Sequence, residues 1–302
     1  MKNINVNRSP LFYVGDKYKL ISEIKTHFPS DIRHFVEPFV GGGSVYLNVN
    51  ARDFFLNDID ADVIKLHEML NSFVGKEQEF FDKIWNIVDS YGLSCSAIED
   101  RVPNDLKVKF AKTYFAEFNR SAFLKLREDY NNSHRDDYLM LYILLIYGFN
   151  RMIRFNKSGY YNLPVGNVDF NKNTIDALRN YFSLNASKET HWSALDFETF
   201  LYGLDLSEQD LVYLDPPYLI TFSEYNKLWN AETEQRLLTI LDRLSAQNIR
   251  FAISNLTHYK GKINSIFLQW AQRYNIHSIK SNYISYHDNT IKSFNEVLVT
   301  NY

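Results

Sequence analysis

Cysteine is all but absent from this chain: Cys95 is the single one among 302 residues. A lone thiol closes no intramolecular disulfide and builds no zinc cluster, so no metal is expected and the reducing cytoplasm is the natural compartment. Long apolar runs are missing too. The most apolar stretch, 139–147, falls short of the roughly 20 residues that span a bilayer. Lys2, Asn3, Asn5, Asn7 and Arg8 give the first residues none of the apolar core of a signal peptide. A membrane is therefore not an expected partner. Nor is there an excess of positive charge. With a formal net charge of −3, any nucleic-acid contact must come from local patches. Glycine and proline are sparse, 11 and 7, so Gly41-Gly42-Gly43 and Pro216-Pro217 stand out. Aromatic side chains are plentiful, 21 Tyr and 23 Phe; they fill cores and also offer flat surfaces on which bases stack.

The prolines end an apolar run, Leu211-Val212-Tyr213-Leu214-Asp215-Pro216-Pro217-Tyr218. Such a run suits a buried strand, and proline, with no N–H for a ladder, must stop it. An acid, a rigid turn and a ring then stand at the carboxyl edge of a sheet, where open α/β folds bind ligands. The glycines follow another short strand, His34-Phe35-Val36-Glu37, and precede the apolar Val45-Tyr46-Leu47. Backbone without Cβ atoms can approach a ligand closely and take positive φ. The loop is not a dinucleotide fingerprint, because Tyr46 stands where the third glycine belongs, and it lacks the Lys-Ser/Thr ending of a phosphate loop. A nicotinamide oxidoreductase is disfavoured on this ground. A second strand over 52–60 ends on Asn57-Asp58, an acid placed to accept from ribose hydroxyls or to cap the next helix. Upstream, Gly15 and then Lys17 open a helical pattern and could receive an anion or a carboxylate.

From about 62 to 148 the periodicity is mainly helical. Within it, Lys107, Lys109, Lys112, Arg120, Lys125 and Arg127 interleave with Tyr114, Phe115, Phe118 and Phe123. That pattern suits nucleic-acid contact, and equally an amphipathic helix with its rings turned inward. The stretch 148–166, GFNRMIRFNKSGYYNLPVG, differs in kind. It offers Arg151, Arg154 and Lys157 for phosphates or guanine edges, Asn150, Asn156 and Asn162 for base edges, and Ser158-Gly159 as the turn of a β-hairpin that fits a major groove. Further on, 192–197 reads as a strand end carrying Asp196, 231–247 as an amphipathic helix and 250–255 as a buried strand. Residues 283–285 and 296–302 read as a terminal strand pair around His287-Asp288-Asn289-Thr290.

In order and spacing, Phe39-x-Gly41-x-Gly43, Asp58 and Asp215-Pro216-Pro217-Tyr218 resemble the Dam-like family (alpha group, D12 class) of DNA adenine-N6 methyltransferases. The resemblance covers nearly the whole chain, with YVGDK at 13–17, EPFVGGGS at 37–44, LNDID at 56–60, YGFNRMIRFNKSGYYNLPVG at 147–166 and EVLVTNY at 296–302. The Asp-Pro-Pro-Tyr turn alone is moderately specific; the set is strongly so. Tyr13 stands where the family usually has Trp, and Asp16 where Gly is usual.

The resemblance implies an α/β protein: a Rossmann-like S-adenosylmethionine-dependent methyltransferase sheet from 1–65 and 173–302, with an inserted, mostly helical target-recognition domain over 66–172 that carries a DNA-reading hairpin near 150–164. The cofactor would be S-adenosylmethionine, leaving as S-adenosylhomocysteine. Its methionine moiety would lie over Gly41 and Gly43, beside Phe39, Tyr13 and Lys17; Asp58 would take the ribose, and Asp196 and Phe197 would border the adenine, with Asp215 close by. Double-stranded DNA would be held through Asn150, Arg151, Arg154, Asn156, Lys157, Asn162 and Pro164, with GATC the favoured target. A flipped adenine would stack on Tyr218, its amino group held by Asp215 and the Pro216 carbonyl, and no metal would be needed. A cognate restriction endonuclease is a further partner the resemblance allows. Rival readings are methylation of cytosine N4 or of an RNA adenine, and a non-catalytic DNA-binding protein on the same fold. The intact glycine loop, Asp215 and Tyr218 count against the last.

Overall fold

The computed structural model describes residues 6–221, 229–279 and 294–302. The expected strand at 283–285 and the polar 287–290 lie outside them. The described strands join in one sheet: β1 (His34–Glu37), β2 (Asp53–Asn57), β3 (Glu189–Ser193), β4 (Leu211–Leu214), β5 (Arg250–Tyr259), β6 (Lys262–Ile263), β7 (Asn275–Ile279) and β8 (Phe294–Thr300). Their order is β3-β2-β1-β4-β5-β8-β7, with β6 paired to β5 alone. The strands from β3 to β5 run parallel, and β8 lies antiparallel between β5 and β7.

Parallel strands covered on both faces read as continuous apolar runs, and all four residues of β4 are buried. The pleat still sorts them. Phe35, Leu211, Tyr213, Ala252 and Leu298 face one apolar cluster; Val36, Val212, Leu214, Ile253 and Val299 face the other. The second face is covered by the helices Phe197–Tyr202, Ala231–Ala246 and Ser265–Ala271.

The first face shares its cluster with the helices between β2 and β3, so the sheet and this helical segment have one continuous core. At its centre is the helix Tyr138–Tyr147, capped by Asp137, whose Oδ1 accepts from the N–H groups of Leu139 and Met140. Residues 141–147 are wholly buried there, packed by the helices Ala61–Ser72, Glu77–Tyr91 and Tyr114–Asn132 and by the segments that carry Pro10 and Ser94. No helix among the described residues is long and apolar enough to cross a membrane. The basic-aromatic stretch forms the helix Tyr114–Asn132, with Phe123, Leu126 and Tyr130 turned into the core.

Several boundaries differ from the sequence reading. The strand expected at 192–197 runs over 189–193, and Asp196 instead caps the following helix by accepting from the N–H of Glu198. β5 continues past 255 to Tyr259, with a register shift between Leu256 and His258 against β8. β7 carries too little apolar alternation, Asn-Ile-His-Ser-Ile, to be recognised. The arms of 148–166 meet at two isolated bridges, Gly148↔Val165 and Phe155↔Tyr161, not in the regular hairpin ladder expected. The left-handed Asn150 and Arg151 interrupt one arm, and Pro164 has no N–H to offer in the other.

Candidate active site

Strand order reverses between β1 and β4, which pair through Phe35↔Leu211 and Val36↔Val212. In an open α/β sheet the crevice beyond such a switch point receives the ligand. β1 delivers the glycine loop there and β4 delivers Asp215. Pro216 is buried behind the rim, and Asp215, Pro217 and Tyr218 are half-buried on it.

Asp215 is braced from two sides. Lys17 Nζ lies 2.7 Å from Oδ2, and the Tyr218 hydroxyl donates to Oδ1 at 2.9 Å. Both also reach Glu296 Oε1, Lys17 at 3.6 Å and Tyr218 at 3.3 Å. The Lys17 ammonium stands 5.1 Å from the centroid of the Tyr218 ring. Lys17 and Glu296 are buried, so these contacts act where water screens little. Lys17 is held there by a short turn in which Asp16 Oδ1 accepts from the N–H of Tyr18 at 3.0 Å.

The glycine loop is fixed from behind. The N–H of Gly41 donates to Asp58 Oδ2 at 2.9 Å, and that of Asp60 to Oδ1 at 3.0 Å. Asn57 Nδ2 donates to the carbonyls of Pro38 and Leu195, while its Oδ1 accepts from the N–H of Leu195 and the hydroxyl of Ser193. One amide thereby ties together the ends of three strands. A Cβ on Gly43 would come within 2.5 Å of Tyr46 Cε1 and 2.9 Å of His67 Cε1, at a φ of +78°. One on Gly42 would meet Tyr13 Cβ at 2.8 Å. His67 Nε2 lies 2.9 Å from the Gly41 carbonyl; a carbonyl only accepts, so Nε2 carries the proton. The imidazole stacks on Trp192 at 4.5 Å, and burial lowers its pKa to about 4.

Carboxylates crowd this rim. Burial pushes the Glu37 carboxyl well above its usual range, and the charges of Asp215, Asp16 and Asp58 push it the same way. Its Oε2 has no hydrogen-bond partner among the described residues. Burial also raises Asp58, to about 6, against the hydrogen bonds it accepts. On the flank, the rings of Phe39, Phe197 and Trp229 meet with centroids 5.4 to 5.9 Å apart. Phe197 is buried; Arg236 lies over its ring at 4.6 Å and pairs with Asp196 Oδ2 at 2.5 Å. Asp196 is thus both a helix cap and an ion-pair partner.

The residues expected to touch DNA lie on the separate segment 148–166. Asn150, Asn156, Lys157 and Pro164 are exposed there. Arg154 Nε donates to Asn162 Oδ1 at 2.8 Å across the two arms, and Asn156 Oδ1 accepts from the N–H groups of Ser158 and Tyr160 to shape the tip. Arg151 is half-buried, its guanidinium 3.9 Å from the centroid of Phe12.

Sequence reading missed Glu37, Asn57, His67, Trp229 and Glu296 as members of the site. An acid before Pro38 and another opening the apolar strand at 296–302 were the available signals for the carboxylates. His67 and Trp229 carried none, because only the fold brings them to the loop.

The sheet order, the glycine loop at the switch point and the braced acid beside it define a Rossmann-like methyltransferase fold. The family model for D12 class N6 adenine-specific DNA methyltransferases matches residues 13–284, and the chain belongs to that family. It is 34% identical over 304 residues to the type II methyltransferase M.FokI of Planomicrobium okeanokoites, covering 98% of this chain and 43% of that protein. To the modification methylase StsI of Streptococcus sanguinis it is 34% identical over 307 residues, again 98% of this chain and 43% of the relative. The chain thus spans less than half the length of these two. The DNA adenine methylase of Escherichia coli (strain K12) is 28% identical over 304 residues, 97% of this chain and 94% of that one.

Proposed function

We propose that this chain transfers the methyl group of S-adenosylmethionine to N6 of an adenine flipped out of double-stranded DNA. The observation that carries the reading is Asp215, held at the switch point by Lys17 and Tyr218 beside a glycine loop tied to Asp58. The donor set fits the cofactor. The buried, unpartnered Glu37 Oε2 and the neighbouring Asp58 favour a ligand bearing positive charge, which a sulfonium and an ammonium supply. Glu37 and the Gly41–Gly43 backbone would hold the methionine moiety with Tyr13 and Lys17, Asp58 the ribose, and Phe39 with Phe197 and Asp196 the adenine side. When bound, the cofactor presents a methyl group activated by a positively charged sulfur.

The amino nitrogen of adenine is a poor nucleophile, its lone pair delocalised into the ring. Asp215 and the Pro216 carbonyl accept its two N–H groups and return that lone pair to the nitrogen; as the N–CH3 bond would form and the S–CH3 bond break, S-adenosylhomocysteine would be released and one amino proton lost to solvent. For this, Asp215 Oδ1 exchanges the Tyr218 hydroxyl for an adenine N–H, while Lys17 keeps Oδ2. The freed Tyr218 ring stacks on the extruded base. The protein's contribution is position and fixed charge.

Recognition falls to 66–172 and its 150–164 segment, through Asn150, Arg151, Arg154, Asn156, Lys157, Asn162 and Pro164. GATC is the target favoured by the likeness of this segment to the Dam-like pattern. The modification methylases among the relatives support a restriction endonuclease as partner, and the buried lone thiol of Cys95 suits the cytoplasm.

The test is incubation with tritiated S-adenosylmethionine and duplex DNA, unmethylated or already methylated at GATC, followed by digestion to nucleosides. Label in N6-methyladenine is expected on the unmethylated duplex only. Label in N4-methylcytosine, or none, would overturn the reaction; equal uptake on both duplexes would overturn GATC alone.

A further inference from the structure

Beside the site, one aromatic ring carries two cations. The guanidinium carbon of Arg151 lies 3.9 Å from the centroid of Phe12, and that of Arg8 lies 4.6 Å from it and 5.3 Å from the centroid of Tyr18. A ring face attracts such a cation but leaves its five N–H donors unused. No hydrogen bond or ion pair joins either guanidinium to a described residue. The nearby acids, Asp16 and Asp169, act on the pair through space and not through a bond. Asp169 accepts from Ser94 and Ser96, and Asp16 from the N–H of Tyr18. Burial, with Arg8 close by, lowers the Arg151 pKa to about 10, while the charge of Asp169 raises it.

The backbone is strained at the same place. Six described non-glycine residues have positive φ, and three of them, Phe12 at 51°, Asn150 at 55° and Arg151 at 50°, build this cluster. Left-handed backbone is uncommon for Phe and Arg, and such strain gathers at binding and catalytic sites. Phe12 immediately precedes Tyr13, which packs on Gly42, and Arg151 stands at the foot of the 148–166 segment. The cluster therefore lies between the cofactor loop and the recognition segment.

We propose that Arg8, Phe12 and Arg151 form a clamp for a phosphate diester of the DNA strand. This rests on the reading of DNA as substrate and extends it to Arg8 and Phe12. Two planar guanidinium forks, oriented by one ring and with no carboxylate among the described residues bonded to either, match the oxygens of a phosphate. Arg151 accordingly holds backbone and does not read a guanine edge.

The test uses the full chain with Arg8→Gln, a change at an exposed side chain. Binding of fluorescein-labelled duplexes is followed by anisotropy over a range of sodium chloride. Affinity is expected to fall about 3- to 10-fold at ~0.1 M salt, and the log–log salt slope to become shallower by about one, equally on GATC and scrambled duplexes. Arg8→Lys should restore the slope, and S-adenosylmethionine binding should be unchanged in both. An unchanged slope, or a loss confined to one sequence, would overturn the clamp and leave the methyltransferase reading standing. If the unaltered chain binds no duplex, that reading fails, and the clamp is judged on thermal stabilisation by inorganic phosphate against chloride at equal ionic strength. Stabilisation lost in Arg8→Gln would uphold an oxyanion clamp; its absence in the unaltered chain would overturn it.

Discussion

At the sheet edge the chain buries Lys17, Glu37 and Glu296 and braces Asp215 from two sides, whereas in 148–166 Asn150, Asn156, Lys157 and Pro164 stand in water and Arg154 bonds to Asn162 across two loosely joined arms. The first arrangement is costly. Buried carboxylates are tolerated because a parallel sheet, a continuous core and the Asn57 tie leave them nowhere else to go. In return, charge is fixed before any ligand arrives, which suits a reaction centre. The second is cheap and adaptable: its polar groups exchange one another for water, or for the edges and phosphates of a nucleic acid, with little penalty. The buried carboxylates and the exposed, DNA-contacting residue types thus sit on opposite sides of a difference in rigidity.

That contrast can be broken at its stiff end first. Asp215→Ala is expected to reduce methyl transfer about 10³-fold or more while S-adenosylmethionine affinity, measured by calorimetry, changes by less than about tenfold. Substantial turnover in this variant would take the chemistry away from the sheet edge. Gly43→Ala forces a Cβ into Tyr46 and His67 at positive φ and should lower unfolding free energy in urea by about 3 to 4 kcal/mol. A value near zero would mean the loop yields freely to an added methyl group.

His67 tests the same frame through pH. Its folded pKa of about 4 lies below the ordinary 6.5, so between those values the unfolded chain binds a proton that the fold refuses. Stability from this group should therefore be intact above about pH 6.5 and fall by roughly 3 kcal/mol as the pH drops to 4. Urea titrations at several pH values, with His67→Gln as control, measure that slope; the control should lack it. The smallest effect belongs to the soft region. Arg154→Ala should cost less than about 1 kcal/mol of stability, since the two bonds it loses, both to Asn162, are part-exposed. It should nevertheless weaken duplex binding about tenfold in anisotropy.

The covalent sequence already exposes much of the stiff region. Proline cannot continue a ladder, so the end of β4 at Leu214 and the placing of Asp215 were legible, and so was the glycine loop after β1. Asn57 and Asp58 fall at the end of β2 as expected. What stayed hidden is what only tertiary packing creates: Glu296 meets Lys17 across nearly the whole chain, and His67 reaches the Gly41 carbonyl from a helix whose pattern showed only an apolar face. The soft region was legible in composition and not in form. Its residues are of the types that touch DNA, but their spacing did not reveal that Arg154 and Asn162 join each other or that Asn150 and Arg151 turn left-handed.

The pairing of Lys17 with Glu296 also bears on how the molecule is made. A ribosome releases residue 17 long before residue 296, and β1 waits for β4 through the synthesis of every helix between them. Contacts so distant along the chain close slowly, and until they do an unpaired strand edge and apolar helices stand open to other chains. Yield from rapid expression should therefore respond to temperature and chaperones more than equilibrium stability would suggest. The contact of Lys17 with Glu296 closes only after the strand 294–300 has emerged.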